Sequence, residues 1–209
     1  MMIDILFEND DLVVCVKPVG IPSQNDRAED MVKILAEQSK SGIYPVHRLD
    51  TAVGGTMVFA KNSKTAASLS KQITDGNFRK HYIAAVCGKP EEKHGVLEDL
   101  LFKDSAKNKS YVVKGLRKGV KKAVLEYDVL AERDDMSLVS VLLHTGRSHQ
   151  IRVQFASRKM PLVGDGKYGS RDNRCTVALW SSKISFLYNS AEMAFESEPD
   201  KQKFPWVLF

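Results

Sequence analysis

Arg48 and Asp50 are the residues of this 209-residue chain whose types and spacing most directly suggest chemistry. They stand in Val46-His47-Arg48-Leu49-Asp50-Thr51-Ala52-Val53-Gly54-Gly55, ahead of the apolar run Thr56-Met57-Val58-Phe59-Ala60-Lys61. In an extended segment, residues two apart project from the same face, so a guanidinium and a carboxylate can share one cleft. Gly54 and Gly55 let the backbone turn sharply or let a ligand approach closely. An isolated Arg-x-Asp would be a weak surface ion pair. A second stretch carries charge of one sign. Residues 103–122 hold eight basic residues (Lys103, Lys107, Lys109, Lys114, Arg117, Lys118, Lys121, Lys122) against one acid, Asp104. With Tyr111, Gly115 and Gly119 among them, they suit a flexible hairpin that contacts phosphates, which gives affinity but little sequence reading.

The elements that must position these residues follow from periodicity and capping. Residues 2–7 and 12–16 read as short strands joined by the Glu8-Asn9-Asp10-Asp11 turn. Residues 31–38 suit a helix capped by Asp26, with Glu29 three residues on, and stopped by Ser41-Gly42. After a buried strand over 56–60, Asn62 or Ser63 caps a second helix that ends at Asp75-Gly76. Residues 79–86 alternate as a strand, with Lys80, Tyr82, Ala84 and Val86 on one face. A strand pair is expected across 95–130 and a β run over 138–144. From Ser148 onward the spacing is helical, aligning Ile151 with Phe155 and Ser148 with Arg152. Residues 160–169 read as loop, and 177–180 and 184–187 as final strands. These assignments give an α+β chain with more strand than helix.

Composition bounds the function classes. Apolar residues at 43% and charged residues at 27% are ordinary for a globular protein. No apolar run reaches the ~18 residues of a membrane span. Residues 1–11 carry acids where a signal peptide would be basic and apolar, so a cytoplasmic location is expected. Cys15, Cys87 and Cys175 stand far apart, with no Cys-x-x-Cys and no paired His, which argues against a metal site or a disulfide framework. The net charge of +5 is concentrated in 103–122. Glu192, Glu196, Glu198 and Asp200 form an acidic stretch unsuited to nucleic acid.

The His47-Arg48-Leu49-Asp50 stretch, with its Gly and the strand ending Phe59-Ala60-Lys61, resembles the catalytic motif of the RluA-type RNA pseudouridine synthases. Three further segments resemble the same family in the same order. They are Asn9 to Pro22 with Lys17-Pro18, then Lys80-His81-Tyr82-Ile83-Ala84-Ala85-Val86-Cys87-Gly88, then Leu142 to Val153. The last is followed by Pro161-Leu162-Val163-Gly164-Asp165 and Lys167-Tyr168-Gly169. The resemblance implies a mostly antiparallel central sheet with a cleft along it, flanked by helices. It implies a single catalytic domain over 1–209. The N-terminal RNA-binding domain that many members carry is expected to be absent, because the family-like core begins within the first ten residues.

It also implies a reaction. Pseudouridine formation breaks the bond from uracil N1 to the ribose and remakes it from C5. The anomeric carbon becomes oxocarbenium-like, and because the base is held rather than lost, one carboxylate can suffice. Asp50 matches the essential Asp, with attack at C1′ and removal of a ribose proton to give a glycal both open. Arg152 matches the basic residue that pairs with that Asp, keeping it ionised and oriented. Tyr82 matches the active-site Tyr that stacks on the target base, with deprotonation of C5 by the same residue left open. Ile151 would wall the uracil pocket. Arg48 would enter the space left by the flipped uridine, whose extrusion costs about a few kcal/mol. Lys118, Lys121 and Lys122 would grip a stem-loop of ribosomal or transfer RNA. No metal or organic cofactor is implied, and the protein is expected to act as a monomer.

Two departures stand out. The chain has Val53-Gly54-Gly55 where the family usually shows Thr-Ser-Gly, which puts loop hydrogen bonds in question. Ser148 and Gln154 replace the usual Thr and His. The alternative function is a non-catalytic RNA-binding or ribosome-assembly protein on the same fold. A phosphotransferase is excluded, because the likeness to a kinase His-Arg-Asp loop comes without a Gly-rich loop or Asp-Phe-Gly.

Overall fold

The computed structural model describes residues 1–25 and 29–209. The chain is α+β with mostly antiparallel strands, and it divides into two compact units. The first comprises Met1–Lys80 and Trp180–Pro199, the second His81–Leu179 and Asp200–Phe209. Among the described residues no helix is long and apolar enough to cross a membrane.

In the first unit, β1 (Asp4–Glu8) pairs antiparallel with β2 (Leu12–Lys17), and β2 pairs antiparallel with β4 (Gly54–Ala60). Every residue of β4 is buried. The run Leu12-Val13-Val14-Cys15 of β2 is buried too, as a continuous apolar strand covered on both faces should be. Since β2 occupies one edge of β4, the other edge takes two partners. Next to Phe59 and Ala60 lies the short β3 (Tyr44–Pro45). Next to Gly54 and Gly55 lies β10 (Leu179–Tyr188), parallel to β4. Leu12, Val14, Val58, Leu69, Phe78, Ile184 and Phe186 form the core.

Helix α1 (Met31–Ser39) turns Met31, Ile34 and Leu35 inward. Its cap is Asp30, whose carboxylate accepts from Lys33 N–H at 2.8 Å, so the expected start is corrected; Asp26 itself lies outside the described residues. Left-handed Lys40 ends the helix just ahead of the expected Ser41-Gly42 stop. Helix α2 (Ser63–Asp75) keeps its expected signals: Asn62 accepts from Thr65 N–H at 2.9 Å, and Gly76 is left-handed.

The two strands expected at 177–180 and 184–187 are one. Ser181, which falls between the two expected strands, is buried in the ladder and donates to Thr56 O at 3.0 Å. The acidic stretch supplies a further strand, β11 (Ala191–Glu196), antiparallel to β10 with Lys183 opposite Glu196.

In the second unit the strand order is β5 (Arg79–Cys87), β9 (Met136–Leu143), β8 (Val120–Arg133), β6 (His94–Asp104), β7 (Lys109–Val113), antiparallel throughout. The strand pair expected over 95–130 is therefore three strands. β6 is central, with Leu100 opposite both Val113 of β7 and Lys122 of β8. The connection from β7 to β8 must then cross β6, and it does so over Phe102, whose ring lies 5.0 Å from the Arg117 guanidinium. Helix α3 (Gln150–Ser157) is buried from Gln150 to Phe155.

The Gly pair at the head of β4 has a steric cause. A Cβ on Gly54 would stand 2.4 Å from the Trp180 ring, and one on Gly55 2.3 Å from Ser181 O, with Gly55 at φ +121°. Gly55→Ala should lower unfolding free energy by about 2–4 kcal/mol. Gly76→Ala, at φ +80° with open space around it, should cost about 1–2 kcal/mol. Urea unfolding of the two variants checks this, and equal losses would contradict the steric account.

Candidate active site

The expected site residues divide between the units, with Arg48 and Asp50 on the first and Tyr82, Ile151, Arg152, Lys118, Lys121 and Lys122 on the second. Arg48 and Asp50 lie in the connection from β3 to β4, which has no regular structure from Arg48 to Asp50. Arg48 is exposed, Leu49 buried and Asp50 half-buried. The loop is held almost atom by atom. Leu49 N–H donates to Ser23 Oγ at 3.0 Å, and that hydroxyl donates back to Leu49 O at 2.9 Å. Asp50 O accepts from Val53 N–H at 2.9 Å, closing a turn, and Thr51 O accepts from Gly20 N–H at 2.8 Å.

Lys17 completes the hold. It is fully buried, and its Nζ donates to Pro18 O at 2.9 Å, Ile21 O at 2.6 Å and Thr51 O at 3.4 Å. Burial pushes its pKa down to about 8, against the opposing pull of the Asp50 charge. His47 fastens the other flank: its Nε2 accepts from Val58 N–H at 3.2 Å, and its ring tilts against Phe78. Burial, with the Lys80 charge, lowers the imidazole to about 3, so it stays neutral with its proton on Nδ1.

On the second unit, Tyr82 lies on β5 opposite Val141, 6% exposed, and Ile151 is 3% exposed on α3. Arg152 is buried. Its Nε donates to one oxygen of Asp165 at 2.6 Å and its Nη2 to the other at 2.8 Å, a bidentate pair that fixes the guanidinium plane. The Tyr168 ring lies 5.1 Å from the same guanidinium. Gln150 fastens the start of α3 to β8, accepting from Thr145 Oγ1 and Arg147 N–H and donating to Val124 O at 3.1 Å.

The three lysines are exposed, but not equivalent. Lys122 is paired with Glu98 at 2.7 Å, which offsets its charge. Lys121 and Lys122 are adjacent on β8 and so face opposite sides of the sheet. Lys118, with Lys114, Gly115, Leu116 and Arg117, lies in the exposed crossing connection.

Sequence reasoning gave no role to Lys17, Ser23, Asp165 or Tyr168. Lys17, Asp165 and Tyr168 were visible as motif letters, but their partners are set by tertiary contact. Ser23 carried no signal.

Comparison with known proteins follows the same lines. Residues 11–157 match the family model described as RNA pseudouridylate synthase. A protein of Aquifex aeolicus named as an uncharacterized RNA pseudouridine synthase is 34% identical over 194 residues, 86% of this chain and 60% of that one. The ribosomal large subunit pseudouridine synthase D of Borreliella burgdorferi is 33% identical over 198 residues, 87% of this chain and 60% of its own. The chain thus spans about three fifths of the length of these two relatives. The solved structure of human RNA pseudouridylate synthase domain containing 4 matches with a TM-score of 0.81 at 20% identity, covering 98% of this chain and 90% of that one. That likeness shows a shared fold. With the family model matching from Asp11 to Ser157, most of the chain, this protein belongs to the RNA pseudouridylate synthase family.

Proposed function

We propose that this protein is an RNA pseudouridine synthase that isomerises specific uridines in structured ribosomal or transfer RNA, with Asp50 as its catalytic carboxylate. The observation that carries the reading is the Asp50 loop. A half-buried carboxylate stands in an irregular segment whose backbone is fixed on both flanks, by Ser23 at Leu49 and by Gly20 and Lys17 at Thr51. Fixing the backbone on both sides of a reactive group holds its Cα in one place relative to bound substrate.

In this reading the N1–C1′ bond breaks as positive charge grows on the anomeric carbon, and the Asp50 carboxylate stabilises that charge. The uracil stays in place and turns, C5 bonds to C1′, the C5 proton leaves to solvent and N1 regains a proton. Reactant and product are isomers, so no redox partner or second substrate is required. Tyr82 contacts the base, Ile151 supplies an apolar wall, and Arg152 brings a fixed positive charge. Arg48, exposed on the Asp50 loop, is suited to follow a flipped uridine into the stack. The basic segment over 103–122 grips the phosphates.

Loss of the C5 hydrogen gives a direct assay: release of tritium from RNA labelled at uracil C5. With such RNA from cells lacking the gene, Asp50→Asn should lower the rate by about a thousandfold or more. RNA affinity should stay unchanged. Equal release by Asp50→Asn and wild type would overturn the role of Asp50, and no release by wild type that still binds the RNA would favour an RNA-binding module.

Replacing Arg117, Lys118, Lys121 and Lys122 together with Gln should weaken RNA binding and reduce the slope of log K against log salt by about 2–3. Restoring Lys122 alone should recover little, because Glu98 already takes its charge. An unchanged slope would remove this segment from the RNA interface.

A further inference from the structure

The segment Asp165 to Tyr168 belongs to no assigned role, yet each of its charged or phenolic side chains holds something. It contains the short 3-10 turn Gly166–Tyr168 that follows Asp165. Asp165 takes the Arg152 guanidinium with both oxygens, at 2.6 and 2.8 Å. Lys167 Nζ donates to Asn108 O at 3.2 Å, in the turn between β6 and β7. Tyr168 does two things. Its ring lies 5.1 Å from the Arg152 guanidinium. Its hydroxyl accepts from Ser110 N–H at 2.8 Å and is hydrogen-bonded to His149 Nδ1 at 2.9 Å, at the head of α3. Ser110 is the second residue of β7 and is itself tied to α3, its Oγ donating to Ser148 O at 2.7 Å. The residue before it, Lys109, places its ammonium 5.1 Å from the same Tyr168 ring.

One aromatic side chain therefore touches a candidate catalytic arginine with its face and the basic hairpin with its hydroxyl. We propose that Tyr168 is a positioning residue that couples the seating of RNA on the β6–β7 hairpin to the orientation of Arg152. This rests on the reading of the protein as an RNA pseudouridine synthase. The geometry separates two functions by atom. The ring, with Asp165, limits the guanidinium to one plane, because a cation held over an aromatic face and by a bidentate carboxylate has little freedom left. The hydroxyl holds the hairpin strand at a backbone N–H, so RNA phosphates that engage Lys109 pull on a strand tied to the same side chain.

Two variants test it. Tyr168→Phe keeps the ring and removes the hydroxyl, while Tyr168→Leu removes both. In the tritium-release assay, Tyr168→Phe should raise KM about threefold to tenfold with kcat nearly kept. Tyr168→Leu should in addition lower kcat by about tenfold or more. A side chain that only stabilised the fold would lower the active fraction in both variants, with no such split. The Arg152 Nε–H signal in nitrogen-15 NMR gives a readout independent of activity. It should keep its position and slow exchange in Tyr168→Phe and lose them in Tyr168→Leu. It should shift on adding the same RNA to wild type, but not to Tyr168→Phe. Unchanged kcat in Tyr168→Leu, or an Arg152 signal indifferent to both variants, would overturn the proposal. Absence of tritium release by wild type would overturn the functional reading instead, and the Arg152 signal would still decide this one.

Discussion

Pro18, Ile21 and Thr51 offer their carbonyl oxygens outside any helix or strand, and one buried ammonium, Lys17 Nζ, takes all three. Two loops far apart in sequence are joined there by a charge that burial makes costly to keep. The cost is offset because the carbonyls would otherwise be left with one bonding partner fewer in a dry place. The consequence for the site is positional. Thr51 is fastened by Lys17 and Gly20, Leu49 by Ser23, and Asp50 stands between them. In the proposed reaction, a carboxylate beside one ribose carbon needs a fixed Cα more than it needs a regular element around it.

The second unit solves a similar problem with side chains. Arg152 is buried on a helix that is covered from Gln150 to Phe155, where an unpaired guanidinium would be severely destabilising. Asp165 meets it fork to fork, and Tyr168 closes over it. The remaining polar groups near the head of α3 are arranged around the same few residues: His149 and Ser110 on the Tyr168 hydroxyl, Ser148 O on Ser110 Oγ. Buried polar networks of this kind tolerate little change in any member, because each loss strands a partner.

Much of the fold was legible where local signals and tertiary structure agree. The alternation of Lys80, Tyr82, Ala84 and Val86 marks β5 because one face of that strand is buried. Asn62 and Gly76 bracket α2 because caps are local chemistry. Reading failed where a distant partner overrode the local signal. Ser181 falls between the two strands expected there, yet Thr56 O accepts its hydroxyl inside one continuous ladder. The crossing of the β7–β8 connection over β6 follows from pairing register, which no spacing within 103–122 encodes. At the site, residue type and spacing singled out Arg48 and Asp50, and resemblance gave Asp50 and Arg152 their expected roles. Asp165 and Tyr168 acquire their parts from contacts 13 and 58 residues away in sequence, and such contacts leave no periodic trace. Within the Val53-Gly54-Gly55 departure, Gly54 is accounted for by the Trp180 ring lying where a Cβ would be, and Val53 has no structural explanation.

The central claim is that Asp50 converts uridine to pseudouridine at defined positions in cellular RNA. Transcriptome-wide pseudouridine mapping tests it most directly, in cells lacking this gene and complemented with wild type or Asp50→Asn. The account predicts at least one position that loses pseudouridine in the deletion and regains it only with wild type, which would also name the target RNA. Identical maps in all three strains would contradict it.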